Sequence, residues 1–366
     1  MQSDPGTQVN KKALIAMSGG VDSSVAAKMM RDKGFACIGC TMRLYDYETV
    51  GIDDKSCCSL KDCEDARSVA ESLGMEYRIF HYEEEFKTKV MDKFARSYEE
   101  AKTPNPCVDC NKYMKFRKLY EQARAMGCDV IVTGHYARIE EEDGRFVLKK
   151  AKDLTKDQSY VLYDLTQEEL SHTLFPLGTY TKEEVRKLAE ENHFVNARKH
   201  DSQDICFVPN GDYAGVIRSL TGKEYPAGDF VDTKGNVLGR HKGIIHYTIG
   251  QRRGLGLSLK ESLYVLRIDP ANNVVVLGRD EELFSKSFDA EEVNWIAGEA
   301  PAESFFCNAK VRYRQKEHRA LVTVTGAHSV HVEFDEPERA ITPGQSAVFY
   351  EGETVLGGGI ICPMKH

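Results

Sequence analysis

The sequence predicts an α/β protein: an N-terminal doubly wound, mostly parallel sheet, then a small β-rich central domain and a C-terminal β-barrel. Three observations predict it. Up to about residue 210, short apolar runs alternate with amphipathic helical stretches at the spacing of right-handed βαβ units. A Gly-rich turn, Ser18-Gly19-Gly20-Val21-Asp22-Ser23-Ser24, stands directly between the first such run and the first helix. Beyond residue 210, Gly and Pro become frequent and β-branched runs replace helices. The 366 residues suit two to three domains, with expected limits of 10–210, 211–284 and 285–366.

The elements follow in order. Ala13 to Met17 reads as a short buried strand, and the helix after the turn runs through Ser24 to Met30. Ala36 to Leu44 is a second strand, and Cys63 to Leu73 a helix stopped by Gly74. Tyr77 to Tyr82 is a third strand, followed by a long helix over Phe86 to Lys102. Lys112 to Met126 is another helix, closed by Gly127, and Val130 to Val132 a fourth strand ending at Thr133-Gly134-His135. Thr181 with Glu184 forms a capping box ahead of Val185, Leu188 and Ala189. The β-rich part shows strands at Tyr264–Ile268, Val274–Leu277, Leu321–Val324 and Val330–Phe334. The acidic clusters Glu83–Glu85 and Glu140–Asp143 read as solvated surface.

Composition narrows the class. Hydrophobic residues at 41% and charged residues at 29% are ordinary for a globular chain. No apolar run approaches the roughly 18 residues of a membrane span, and the first dozen residues lack a secretory apolar stretch. Eleven cysteines, an odd count in such a chain, argue for reduced thiols and a cytoplasmic protein. The net charge of −8 does not advertise nucleic-acid binding. Any such binding needs a local basic surface. Lys310, Arg312, Arg314 and Lys316 alternate with Val311 and Tyr313, which predicts a strand with a basic stripe. Arg240-His241-Lys242, with Arg252-Arg253 nearby, forms a second basic cluster.

The turn at 18–24 is the strongest chemical signal. Two glycines let backbone approach a ligand, and the helix after them offers N–H groups and a positive dipole end. A lone Gly-Gly is usually only a turn; the full pattern in this context is a phosphate loop. It is not a Walker loop, because GxxxxGK[ST] is absent. It resembles the PP-loop of the ATP pyrophosphatases (adenine nucleotide alpha-hydrolase-like). That resemblance implies attack of a substrate oxygen on the α-phosphate, release of pyrophosphate, and Mg²⁺ to offset phosphate charge.

Two further segments carry thiols. In Thr103-Pro104-Asn105-Pro106-Cys107-Val108-Asp109-Cys110-Asn111-Lys112, Cys110 falls near the expected helix start, which favours thiolate. A bare CxxC fits zinc, redox or no function, and no second CxxC completes a zinc site. Cys206, between Ile205 and Phe207, would by itself be a small buried hydrophobe.

Taken together, SGGVDSS at 18–24, NPCVDCNKYMKF at 105–116, TGHYAR at 133–138, KDQSY at 156–160, DSQDICF at 201–207 and VRYR at 311–314 resemble the tRNA-specific 2-thiouridylase family. The motifs fall in family order across nearly the whole chain. The resemblance implies ATP-dependent replacement of the C2 oxygen of the wobble uridine by sulfur, in the tRNAs for Lys, Glu and Gln. By position, Ala16, Met17, Ser18, Gly19, Gly20, Val21, Asp22 and Ser23 form the ATP loop, with Met42 and Gly134 on the adenine side. Asn105, Pro106 and Cys107 contact the target base. Cys110 matches the nucleophile and Cys206 the persulfide carrier. His135, Lys156, Asp157, Gln158, Arg312, Tyr313 and Gln345 match tRNA-contacting positions. The implied sulfur donor is a cysteine desulfurase, a sulfur-relay protein or sulfide.

The chain departs from many family members at Cys107, where they carry Asp. Two chemistries are therefore open. In one, a Cys206 persulfide delivers sulfur and Cys110 resolves the sulfur–sulfur bond. In the other, Cys107, Cys110 and Cys206 ligate a [4Fe-4S] cluster whose open iron binds hydrosulfide. The other eight cysteines, Cys57 and Cys58 among them, are left without a role. Two rival functions are an adenylating synthetase or amidotransferase acting on a small molecule, and a tRNA-binding protein with a vestigial nucleotide site.

Overall fold

The computed structural model describes residues 11–45, 60–200, 204–208, 211–258 and 261–364. Cys57, Cys58 and the first three residues of the 201–207 motif lie outside them. The chain divides into two compact units. One comprises residues 1–89, 107–209 and 353–355; the other comprises 90–106, 210–352 and 356–366. No helix among the described residues is long and apolar enough to cross a membrane.

The first unit is built on a five-stranded parallel sheet. Its strands are β1 (Lys12–Ala16), β2 (Ala36–Arg43), β3 (Glu76–His81), β4 (Val130–Val132) and the two-residue β7 (Thr173–Leu174). Their spatial order is β3-β2-β1-β4-β7. Ala13, Leu14 and Ile15 are successive and fully buried, so both faces of the central strand are covered. That is why the strand reads as an unbroken apolar run and not as an alternation. Helices α1 (Val21–Asp32) and α2 (Leu60–Ser72) supply Val25, Ala26, Ala66 and Val69 to the core beside Ile15 and Val132.

Strand order reverses at β1. Its neighbour on one side is β2, the next strand in the chain, and on the other β4, in register from Ala13↔Val130 to Ile15↔Val132. Connections leaving the adjacent ends of β1 and β4 in opposite directions open a crevice, where doubly wound sheets bind ligands. The loops opening there are 17–20 and 133–136.

One further element is a hairpin, β5 (Arg138–Glu142) and β6 (Arg145–Lys149), turned at Asp143-Gly144. The Glu140–Asp143 cluster, expected as plain surface, forms one arm and its turn. Both turn residues have positive φ, 49° and 76°, the conformation that favours an Asp-Gly pair.

In the second unit, β8 (Gly228–Val231), β9 (Val237–His241), β10 (Tyr264–Asp269) and β11 (Val274–Gly278) form a sheet of order β10-β11-β8-β9. A six-stranded barrel follows: β12 (Phe284–Trp295), β13 (Ser304–Lys310), β14 (His318–Gly326), β15 (Ser329–Arg339), β16 (Ser346–Glu351) and β17 (Thr354–Ile361). It closes through pairing of β12 with β17 around Phe288, Trp295, Val322, Val332 and Phe349.

The basic stripe expected at 310–316 does not form. Strand β13 ends at Lys310 and the chain enters a turn. Val311 is buried, and Arg312 folds back so that its guanidinium donates to the carbonyls of Ile249 and Ala340 and to Thr342 Oγ1. Alternation over seven residues cannot distinguish a strand from a turn whose arginine is used internally. The second cluster also loses a member. His241 is buried against Phe230 and Tyr247, and Arg240 pairs with Asp229 at 3.0 Å.

Candidate nucleotide and thiol site

The loop at the end of β1 has the anatomy of an anion cradle. Gly19 has φ +72°, and a side chain there would drive its Cβ into the backbone of Asp62. Gly20 is extended at the N-cap of α1, and no side chain caps the helix. The loop closes on itself: Ser18 N donates to Ser23 Oγ at 3.2 Å, and the Ser23 and Ser24 hydroxyls donate to Gly20 O at 3.1 and 3.0 Å. Ser18 is exposed. The arrangement leaves the positive end of a twelve-residue helix facing the crevice.

Strand β4 brings Gly134 against this loop. A Cβ at residue 134 would stand 2.8 Å from Ser23 N and 2.9 Å from the Asp22 carbonyl carbon. Glycine is required there by close approach of two backbones. Tyr136, two residues on, donates its hydroxyl to Asp22 Oδ1 at 2.8 Å. Lys182, at the first turn of α3 (Lys182–Glu191), reaches both Asp22 oxygens at 2.7 and 2.8 Å. Its position is set by the capping box expected at Thr181, which forms with Glu184 in both directions. The one carboxylate within the loop is thus balanced by a lysine 160 positions away in the chain.

A second lysine approaches from below. Lys199 Nζ donates to Gly19 O at 3.1 Å and binds Asp62 and Asp65. Burial works against its charge, but the two carboxylate hydrogen bonds outweigh it and raise its pKa above the usual lysine value. Asn196 Nδ2 donates to Gly19 O at 3.0 Å and to Ser24 Oγ at 2.9 Å. Tyr136, Lys182, Asn196 and Lys199 are absent from the sequence-based site. Tyr136 lies inside the TGHYAR run and Lys182 directly after the capping residue Thr181, whereas Asn196 and Lys199 were marked only by the polar run Asn196-Ala197-Arg198-Lys199 after an amphipathic helix.

Met42 is half-buried near the end of β2, in register with Phe80. Just beyond it, Tyr45 donates its hydroxyl to the carbonyl of Cys206 at 2.8 Å. Phe207 is fully buried, packing edge-on against Phe86, which also touches Tyr45. Phe207 therefore anchors the segment and leaves Cys206 half-exposed. The hydrophobic neighbour is the buried one, not the thiol.

The helix carrying the other thiols begins earlier than expected. It starts at Pro106, not near Lys112, because proline fits the first helical position, where its fixed φ suits and no N–H is needed. The exposed first-turn thiol is Cys107; Cys110 is buried one turn further on. The helix-end argument for thiolate thus applies to Cys107 and not to Cys110. From Cys110 to Lys118 the helix widens to π geometry, a form that recurs at functional sites. Asn111 Nδ2 donates to Val161 O, and Lys112 pairs with Asp164 at 2.6 Å.

Cys107, Cys110 and Cys206 are not gathered into a ligand set. Among the described residues, no three His, Cys, Asp or Glu side chains are placed to hold a metal ion. The donor arrangement does not fit the [4Fe-4S] expectation.

The expected tRNA positions divide. His135 is 7% exposed, its ring between Phe116 and Phe175, with Thr133 Oγ1 at Nδ1 and Lys115 Nζ at Nε2. Burial and the Lys115 ammonium hold its pKa well below the usual histidine value, so the ring is neutral. Asp157 accepts from Ala151 N and the Ser159 hydroxyl, and Gln158 Oε1 accepts from Tyr136 N. Both brace a loop, whereas Lys156 is half-exposed. In the second unit, Gln345 Nε2 donates to Thr103 O at 2.7 Å, just ahead of half-exposed Asn105. Tyr313 is 38% exposed, with the Lys310 ammonium 5.9 Å from its ring centre.

Residues 11–210 match a family model described as a tRNA methyl transferase HUP domain. Residues 216–279 match its PRC-barrel domain, and 285–361 an aminomethyltransferase β-barrel domain. The chain is 48% identical over 355 residues to the tRNA-specific 2-thiouridylase MnmA of Clostridioides difficile strain 630, covering 96% of this chain and 98% of that protein. MnmA 1 of Caldanaerobacter subterraneus subsp. tengcongensis is 49% identical over 358 residues, covering 97% and 98%. MnmA of Acetivibrio thermocellus is 48% identical over 356 residues, covering 96% and 99%.

Proposed function

The chain belongs to the tRNA-specific 2-thiouridylase (MnmA) family, and on that footing we propose how its residues carry out the thiolation of tRNA. It is an ATP-dependent tRNA-uridine 2-sulfurtransferase. The observation that carries this reading is the uncapped helix end behind Gly19 and Gly20, set where the sheet order reverses. A methyl donor arrives already activated and needs no phosphate loop; a uridine oxygen does need one.

In the proposed sequence, the C2 oxygen of the wobble uridine attacks the α-phosphorus of ATP. The bond to pyrophosphate breaks, and the loop 16–23 with the α1 N-terminus holds the departing charge. Mg²⁺ enters with ATP as the substrate's counter-ion. The base must leave its stack first, at a cost of a few kcal/mol, and residues 105–107 would receive it. A terminal persulfide sulfur on Cys206 then attacks C2, and AMP departs with the former C2 oxygen. Cys110 thiolate attacks the Cys206 sulfur, leaving 2-thiouridine and a Cys110–Cys206 disulfide. A dithiol reductant restores both thiols. Cys107, exposed one turn before Cys110, takes no part in this relay. The donor would be a persulfide-bearing cysteine desulfurase or relay protein, met in the cytoplasm with the tRNAs for Lys, Glu and Gln.

The test is 2-thiouridine formation on unmodified tRNA with ATP, using protein prepared without oxygen. Iron-free enzyme with a persulfide donor should form product, Cys110→Ser should abolish it while tRNA still binds, and Cys107→Asp should retain it. Product only from iron-loaded enzyme with sulfide, lost on Cys107→Asp, would overturn the relay.

A further inference from the structure

A phosphate loop works only when its peptide N–H groups face the ligand, so its carbonyls must be held elsewhere. In a trans peptide the C=O and N–H point in opposite directions. The Gly19 carbonyl accepts from Asn196 Nδ2 at 3.0 Å and Lys199 Nζ at 3.1 Å. The Gly20 N–H of the same peptide is therefore turned away from these two side chains. Asn196 is 3% exposed, and its second bond, to Ser24 Oγ, ties the loop to the first turns of α1. Lys199 also binds Asp62 and Asp65 on α2. Asp62 supplies the backbone that a Cβ at Gly19 would strike. One carbonyl oxygen is thus fixed by two donors, and one of those donors is fixed by a second helix.

We propose that Asn196 and Lys199 are positioning residues of the nucleotide site: they hold the Gly19–Gly20 peptide with its N–H toward the departing pyrophosphate and touch neither ATP nor tRNA. The proposal rests on the nucleotide-site reading above. It gives Lys199 a task unlike that of a Walker lysine, which touches phosphate directly. Here the ammonium is committed to two carboxylates and one loop carbonyl, and its effect reaches the ligand through peptide orientation. Asn196 must be a donor at this point. A carboxylate of the same shape would set an acceptor against an acceptor and favour the flipped peptide.

The experiment is equilibrium binding of ATP, and separately of inorganic pyrophosphate, to the full chain without tRNA. Asn196→Ala should weaken both by about tenfold, the effect of losing one hydrogen bond that serves a charged ligand. Asn196→Asp should weaken both further. The Kd for tRNA should stay at the wild-type value in both variants, and the loss of ATP and pyrophosphate affinity should exceed what any fall in melting temperature, expected from two lost buried hydrogen bonds, accounts for. Lys199→Arg, which keeps the charge and the donors, should retain most of the affinity that Lys199→Met loses. Wild-type affinity for both ligands in Asn196→Asp would overturn the proposal. So would losses of ATP and tRNA affinity that simply track a falling melting temperature. Failure of the wild-type chain to bind either ligand would overturn the nucleotide-site reading as well.

Discussion

At the scale of single residues, two positions show how close packing makes chemistry possible. Gly134 is ordinary in sequence, yet a methyl group there would meet Ser23 N at 2.8 Å. Gly134→Ala should raise the KM for ATP about five- to 150-fold, since overpacking against backbone costs about 1–3 kcal/mol and here shifts the loop itself. Far-UV circular dichroism should be unchanged; an unaltered KM would show that the loop gives way freely. Cys206 teaches the complementary lesson. Its exposure follows from the burial of Phe207 beside it and from the Tyr45 hydroxyl on its carbonyl.

At the scale of elements, the edge of the parallel sheet carries an acid-sensitive joint. Strand β7 is two residues long and is held through Ile131 N to His172 O at 2.8 Å. The His172 ring stacks on Tyr120, with centroids 3.2 Å apart. Burial, aided by the Arg124 charge, lowers its pKa to about 4. An unfolded histidine titrates near ~6.5, so the unfolded chain binds a proton that the folded chain refuses. Stability is then full above about 6.5 and is lost as pH falls toward about 4. Urea midpoints measured from pH 7 to 5 should fall less steeply in His172→Gln than in wild type; parallel slopes would remove His172 from the account.

At the scale of the whole molecule, a chain of net charge −8 must grip a polyanion through local cations. The two basic clusters seen in sequence are partly spent inside the fold, on Arg312 and Arg240. Lys156, Lys310 and Arg314 remain at least half-exposed or on an exposed turn. Binding of tRNA should weaken at least tenfold between about 50 and 200 mM salt, the loss expected for only a few phosphate contacts. A salt-independent Kd would mean recognition by shape and base contact alone. The reading of 310–316 as a basic strand failed because period-2 charge alternation is a local pattern, whereas burial is set by distant segments.

The amino-acid sequence by itself determined the alternation that builds the sheet, the glycine turn between β1 and α1, the Thr181 capping box and the order of the family motifs. Each is written in residues within a few positions of one another, where propensity and backbone freedom act directly. The hairpin at Asp143-Gly144 was also written locally, though its acidic arm disguised it. Tertiary structure alone decided which side chains serve the loop. Lys182 and Lys199 stand 160 and 180 positions from their partners Asp22 and Gly19, and only the packing of α3 and the segment after it against α1 and the loop brings them there. It also decided that Cys110 is buried while Cys107 is exposed, because a helix begun at Pro106 leaves Cys107 in its first turn and carries Cys110 one turn further into the packed unit.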